Sequence, residues 1–310
     1  MPPLIETLEL TKQFDTVTAV DHLSLAVNEG ELLALLGPNG AGKTTTVRML
    51  CSILKPTSGA ARIGGYDVTR DPVQVRHIVG HLTEFPGLYL RMRPFDYFDF
   101  FGELQGLTHA DSRARAEELM KHFGLWDARA RRLGEFSKGM RQKAALIRAM
   151  LHNPRVLFLD EPTSAMDPQS AKQVRDAIAD LCRRGHTIVL CTHNLYEAET
   201  LANRIAVIRR GQLIALGAPA ELKRALLGLP IWQVKLAHPL GRPWPVLDGH
   251  LQVEWSDEST LRYRAGSPEI ANPLLLDRLH DLGASVLTLG EIPRGLEDVY
   301  LKLVEDAPDV

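Results

Sequence analysis

Hydrophobic and polar positions along this chain follow two rhythms, and the order of the rhythms predicts its elements. Leu4 to Leu10 and Ala19 to Val27 alternate with period two, as strands do, before the turn residues Asn28-Glu29-Gly30. Leu32 to Leu36 is apolar at every position, the pattern of a parallel strand buried on both faces. Val47, Leu50, Cys51 and Leu54 then fall at i, i+3, i+4 and i+7, which predicts an amphipathic helix ending before Pro56. Arg62 to Tyr66 returns to strand, and Ile78 to Leu82, Val156 to Leu159 and Thr187 to Cys191 read as further short apolar strands. Helical patterns separate these runs. They are Pro94 to Leu107, with Tyr97, Phe101 and Leu104 on one face; Ser112 to Phe123; a helix capped by Ser137 that carries Leu146, Ile147, Met150 and Leu151; and Gln169 to Arg183. Ile205 to Leu216 reads as a hairpin turning at Arg209-Arg210-Gly211, and Gly217-Ala218-Pro219 closes a first domain, residues 1–220.

Residues 221–310 have their own organisation. Ala220 to Leu227 reads as a connecting helix. Trp232, Val234 and Leu236 alternate, as do Leu251, Val253 and Trp255, then Leu261 and Tyr263, with a turn at Ser256-Asp257-Glu258-Ser259. Leu274 to Leu282 reads as a helix, Ser285 to Leu289 as a strand and Leu296 to Leu303 as a final helix. The expectation is a small α+β domain on an open antiparallel sheet.

Composition narrows the class. The chain is 45% hydrophobic and 24% charged, as soluble globular proteins are, and its net charge of −2 gives no nucleic-acid footprint. No nucleic-acid partner is expected. Cys51, Cys182 and Cys191 are odd in number, and two lie in apolar runs, which favours reduced core thiols over disulfides or a metal site. Met1 to Leu10 has neither a basic start nor a long apolar stretch, so no secretory leader is expected. No run approaches the roughly 18 apolar residues of a membrane span. To work at a membrane, this protein would need a partner that supplies the span.

The candidate chemistry starts at Gly37-Pro38-Asn39-Gly40-Ala41-Gly42-Lys43-Thr44, which fits G-x-x-x-x-G-K-[ST] between a strand and a helix. Backbone N–H groups and the helix dipole there make an anion site for nucleotide phosphates. Lys43 would reach the β- and γ-phosphates and the Thr44 hydroxyl would sit on Mg²⁺. Phe14, upstream of the loop, is a candidate for stacking on adenine, against ordinary packing. Glu84, at the end of the strand Ile78 to Leu82, could reach Mg²⁺ or its water; otherwise it is a solvated loop residue. Gly134 to Gln142 leads into a second helix N-terminus able to hold phosphate oxygens. The strand Val156 to Leu159 then delivers Asp160 and Glu161 at its C-terminal edge, where open α/β sheets bind ligands. A metal-associated Asp followed by a carboxylate that polarises water is what phosphoryl transfer to water requires. His193, ending the strand Thr187 to Cys191, could contact the γ-phosphate or the attacking water; alone it would be structural or solvent-facing. Five aromatics, Phe95, Tyr97, Phe98, Phe100 and Phe101, make either a subdomain core or an exposed docking surface.

From Leu4 to Ala220 this ordered set resembles the nucleotide-binding domain of ABC transporters. Gly37 to Thr44 is similar to Walker A, Phe136 to Met140 to a variant of the LSGGQ signature, and Val156 to Glu161 to Walker B with its catalytic glutamate. Ser164 to Asp167 resembles the D-loop, and His193 the switch histidine. Three positions depart from the family pattern. Glu84 stands where the Q-loop usually has glutamine. Lys138 replaces the first signature glycine and Met140 the final glutamine, with Ser137 and Gly139 retained. Met166 replaces a common leucine or glycine beside Asp167. The first two, with Glu84-Phe85-Pro86-Gly87-Leu88-Tyr89, resemble the drug-, antibiotic- or sodium-extrusion branch. Gly295 to Leu301 is similar to the closing stretch of that branch's accessory domain.

The resemblance implies a P-loop α/β domain with a mostly parallel core sheet, an antiparallel β subdomain and a helical subdomain. It implies ATP and Mg²⁺ as cofactors, with ATP held by Phe14 and the loop Pro38, Asn39, Gly40, Ala41, Gly42, Lys43, Thr44 and Thr45. Thr44, Asp160 and Glu84 would serve Mg²⁺. Glu161, His193 and Lys43 would carry catalysis. Ser137, Lys138, Gly139 and Met140 would act across a head-to-tail dimer, with Asp167 at its D-loop. The dimer would be a homodimer or a heterodimer with a second ATPase subunit. An integral-membrane permease would be the further partner, placing the chain peripherally on the cytoplasmic face of the membrane and powering export. The rival readings are an ABC ATPase acting on nucleic acid or ribosomes, and a phosphotransferase using the same loop.

Overall fold

The computed structural model describes residues 2–85, 87–164, 166–245, 247 and 249–305. The chain divides into two compact units, Met1–Pro219 and Ala220–Val310. In the first, the period-two segments form an antiparallel sheet. Ile5–Phe14 (β1) lies between Val17–Val27 (β2) and Ser58–Ile63 (β4), and Tyr66–Asp67 (β5) completes the order β2-β1-β4-β5. The fully apolar runs form a second, six-stranded sheet. Its order is Gln212–Gly217 (β10), Arg204–Arg209 (β9), Leu32–Leu36 (β3), Thr187–Thr192 (β8), Val156–Asp160 (β7) and Val79–Leu82 (β6). Every neighbouring pair is parallel except the β9–β10 hairpin.

Alternate residues of these strands serve opposite cores, which is why the runs are apolar without interruption. Val156 and Phe158 of β7 pack with Val47, Met49 and Leu50 of helix Lys43–Leu50 (α1). Leu157 and Leu159 pack into a helical layer. That layer comprises Pro94–Leu104 (α3), His109–His122 (α4), Lys138–Met150 (α5) and Pro168–Arg183 (α6). A short helix Pro72–Ile78 (α2) precedes β6, and Leu195–Leu201 (α7) follows β8. Each fully buried Leu or Phe contributes about 1.5–3 kcal/mol of transfer free energy, so filling both faces fixes the sheet firmly. Because β3, β7 and β8 run parallel, their C-terminal ends share one edge. Gly37, Glu161 and His193 all follow that edge.

Several boundaries differ from the periodic reading. The loop helix α1 ends at Leu50, because Ser52 turns left-handed (φ 55°) and Ile53 and Leu54 both donate back to the Arg48 carbonyl. Leu54 packs on the core from this turn, mimicking a helical i+7 position. Ile78 closes α2, a helix the sequence pattern did not reveal. On α3 the buried face is Tyr97, Phe98 and Gly102, while Leu104 is exposed. The chain folds back through Gly106 (φ 84°), so that Leu107 packs against the core in its place. Phe95 and Phe101 also pack on this core, and Phe100 faces outward beside Tyr89. Cys51 and Cys191 are buried free thiols, and burial pushes both well above the usual thiol range.

Helix Pro219–Leu227 (α8) begins at the last residue of the first unit and leads into the second. The antiparallel sheet of the second unit comprises Ile231–Leu236 (β11), Gln252–Ser256 (β12), Thr260–Arg264 (β13) and Val286–Glu291 (β14). The strand order is β12-β13-β11-β14. Helix Pro268–Asp281 (α9) lays Ala271, Leu275 and Leu279 against Val234, Leu261 and Tyr263, and Leu296–Glu305 (α10) follows. α9 starts six residues before the expected Leu274. Pro273 lies within it, and its missing N–H leaves only the carbonyl of the exposed Glu269 without its helical donor.

Candidate active site

The loop after β3 wraps a cavity of about 490 Å³. Asn39, Gly40, Ala41, Gly42, Lys43, Thr44 and Thr45 line one side, and Glu84, Asp160, Glu161 and His193 face them. Two glycines are dictated by sterics. Gly42 caps α1 at φ 105°, and a Cβ there would lie 2.4 Å from the Ala19 carbonyl oxygen. A Cβ on Gly37 would meet the Ile208 carbonyl oxygen at 2.2 Å. The backbone can therefore pass this close to β2 and β9 only without side chains. Lys43 is buried, and its Nζ donates to the carbonyls of Gly37 (2.7 Å) and Pro38 (3.1 Å) while standing 4.0 Å from Glu161 Oε1.

Asp160, at the end of β7, is 3% exposed. Thr44 Oγ1 donates to its Oδ2 at 2.9 Å, while its Oδ1 is buried without a hydrogen-bond partner among the described residues. Burial pushes the Asp160 carboxyl up; Glu161 and Glu84 push the same way, and Thr44 and Lys43 oppose them. Glu161 adopts a left-handed backbone conformation (φ 48°). Its N–H donates to the Cys191 carbonyl of β8. A non-glycine residue held there costs of order 1–3 kcal/mol and persists only when its surroundings fix it. The turn brings Glu161 Oε1 to 2.8 Å from His193 Nδ1.

The other sequence candidates lie outside the cavity lining. Ser137 caps α5, its Oγ accepting from the Met140 N–H at 3.2 Å. Gly139 is buried against α6, where a Cβ would lie 2.9 Å from Ser170. Lys138 lines an adjoining groove with Glu84, Leu90 and Arg141. Asp167 caps α6 by accepting from the Ser170 N–H, and that hydrogen bonding holds its carboxyl below the usual range. Pro38 offers its carbonyl to Lys43 Nζ. Phe14 stands at the end of β1, 45% exposed, with Lys12 Nζ 4.9 Å from its ring centroid. Ala19 and Ser164 also line the cavity; the sequence showed Ala19 only as a strand residue and Ser164 only in the D-loop-like run, because a methyl group and a common turn residue carry no chemical signal of their own.

A parallel strand feeding a glycine loop and helix N-terminus, with Asp and Glu at the end of a neighbouring strand, is the nucleotide site of a P-loop NTPase. A family model described as ABC transporter matches residues 20–164. The chain is 38% identical to the daunorubicin/doxorubicin resistance ATP-binding protein DrrA of Streptomyces peucetius, over 98% of this chain and 93% of that one. It is 40% identical to the ABC transporter ATP-binding protein NatA of Bacillus subtilis (strain 168), over 66% of this chain and 84% of that one. A solved ATP binding subunit of an ABC transporter superposes with a TM-score of 0.64 at 28% identity, covering 73% of this chain and 94% of the other. The chain belongs to the ATP-binding proteins of ABC transporters: it binds ATP and is an ATPase.

Proposed function

We propose that this chain couples ATP hydrolysis at the Lys43–Asp160–Glu161–His193 site to export of a small molecule by a separate membrane permease. One observation carries the hydrolytic part. Glu161, bonded to His193 at 2.8 Å, is the one carboxylate among the described residues within 4.0 Å of the phosphate-loop lysine. On this reading the N–H groups of Gly40 to Thr45 and the Lys43 ammonium bind the β- and γ-phosphates, which requires Lys43 to leave the Gly37 and Pro38 carbonyls. Phe14 stacks on the adenine. Glu161 accepts a proton from water, or orients it, and His193 holds Glu161 and the γ-phosphate in register.

The donors also fit Mg²⁺. Asp160 offers a buried oxygen without a hydrogen-bond partner among the described residues, beside the Thr44 hydroxyl, and Glu84 lines the same cavity. No three His, Cys, Asp or Glu side chains converge as a metal cage among the described residues, which suits an ion that takes its remaining ligands from phosphates and water. Held by Thr44, Asp160 and Glu84, Mg²⁺ would supply positive charge to offset that of the phosphate oxygens.

Two copies, or this chain and a second ATPase, would meet head to tail. Ser137, Lys138, Gly139 and Met140 of one would then close the site of the other, with Asp167 at the contact. Similarity to a daunorubicin/doxorubicin resistance ATP-binding protein over nearly the whole chain supports export. No described helix is long and apolar enough to cross a membrane, so the span would come from a permease that holds this chain at the cytoplasmic face. Residues 221–310 would form the accessory domain of that branch.

The test is purification of the tagged chain from gently solubilised membranes of its host. A stoichiometric multi-span protein that raises ATP turnover supports the reading. Recovery with bound nucleic acid and no membrane protein contradicts it.

A further inference from the structure

Glu197 is fully buried in the first turn of α7, a costly place for a carboxylate. Asn194 and Glu197 have the spacing of a capping box, in which the glutamate would reach back to the N–H of the cap residue. It does not. The Asn194 N–H donates instead to Thr192 Oγ1 at 3.0 Å, and the Asn194 side chain accepts from the Glu197 N–H. That frees the Glu197 carboxylate for two other donors. Thr163 Oγ1 donates to Oε1 at 2.9 Å, and Thr192 Oγ1 donates to Oε2 at 2.8 Å.

These two threonines sit where the reaction is aligned. Thr163 lies two residues after Glu161, in the turn that holds Glu161 left-handed, and Thr192 immediately precedes His193. Both are buried, which limits the access of water to their hydroxyls. The turn after β7 and the end of β8 are thus tied through one carboxylate, a short distance from where Glu161 meets His193. Burial pushes the Glu197 carboxyl up, while the two threonine hydrogen bonds pull it down. A plain helix cap would not need this arrangement, because Asn194 already supplies the cap.

We infer that Glu197 is a positioning residue for ATP hydrolysis, clamping Thr163 and Thr192 so that Glu161 and His193 stay in register. This rests on the roles proposed above for Glu161 and His193. Its removal would loosen the geometry of the attacking water without touching the phosphate loop, so turnover would fall while ATP binding held.

The test uses the full-length chain, steady-state ATP hydrolysis and binding of a fluorescent ATP analogue. The variants are Glu197→Gln, Thr163→Val, Thr163→Ser and His193→Ala, with Thr163→Val also combined with His193→Ala. Thr163→Val keeps the side-chain shape and removes the donor. We expect kcat to fall on the order of 10-fold or more in Glu197→Gln and Thr163→Val, with analogue affinity within about twofold, because a small misplacement of reacting groups is costly. Thr163→Ser should restore most of the turnover lost in Thr163→Val. In the His193→Ala background the cost of Thr163→Val should shrink, since residues acting as one unit are not additive. Additive losses, a parallel fall in affinity, or turnover insensitive to both Glu197→Gln and Thr163→Val would overturn the inference. Glu161→Gln is the control. If it leaves turnover intact, the site assignment fails and the clamp fails with it; if it abolishes turnover while Glu197→Gln and Thr163→Val both keep the wild-type rate, the clamp alone is wrong.

Discussion

His193 Nδ1 lies 2.8 Å from Glu161 Oε1, although 32 residues separate them in sequence. With its proton on Nδ1 the imidazole donates to the carboxylate and fixes the direction in which the other oxygen points. The strands that deliver the two residues are direct neighbours, so the contact follows from the order of the parallel sheet. Replacing His193 with Ala should lower kcat on the order of 10²-fold, the scale of a misaligned reacting group, and leave ATP affinity within about twofold. Steady-state hydrolysis and nucleotide titration on the same preparation check this.

Lys43 is expected to act on binding itself. Its ammonium now bonds two loop carbonyls, and those bonds would be exchanged for bonds to phosphate. Charged hydrogen bonds contribute roughly 1.5–3 kcal/mol, so Lys43→Ala should weaken ATP binding by about 10- to 100-fold. Calorimetric titration with ATP and Mg²⁺ measures it; unchanged affinity would remove Lys43 from the phosphate site.

Gly42→Ala combines a left-handed φ of 105° with a Cβ 2.4 Å from a backbone oxygen on β2. Neither can relax cheaply, since the obstacle is main chain. Stability should drop by at least about 2 kcal/mol in denaturant unfolding, with ATP binding lost as the loop shifts.

His81 sets an acid limit. Burial, then the Arg148 and Arg48 charges, push its imidazole down to about 4, and its Nε2 has no partner among the described residues. Below an unfolded value of 6.5 the unfolded chain takes up a proton that the folded chain refuses. Stability is therefore full above about pH 6.5 and declines as pH falls towards about 4, by at most about 3 kcal/mol from this residue. His152 and His186, also pushed down by burial, slope the same way. The comparison that isolates His81 is the pH dependence of unfolding in the wild type against His81→Leu, which should be flatter.

Much of this site is legible in the sequence because its parts are local. The glycine loop, the apolar strand ending in Asp160-Glu161 and the strand ending before His193 each occupy a short run, and the parallel sheet brings them together. What the pattern concealed depends on tertiary placement. Leu54 has a helical spacing but reaches the core from a turn, and Leu104 has a buried spacing but is displaced by Leu107. Glu197 looks like half of a capping box, and only the fold shows its carboxylate turned towards Thr163 and Thr192. Ser137 is visible in the sequence as a cap and is one in the structure, where Asp167, read from the sequence only as part of a D-loop-like run, also caps a helix; action across a second copy is not a property a single chain displays.

The most direct measurement is ATP binding and ATP turnover by Glu161→Gln, side by side with the wild type. The substitution keeps the shape of the side chain and removes its capacity to accept a proton. If Glu161 is the base, ATP affinity should stay within about twofold while kcat falls on the order of 10²- to 10⁴-fold. Turnover close to that of the wild type, or a loss of binding that matches the loss of turnover, would contradict the account.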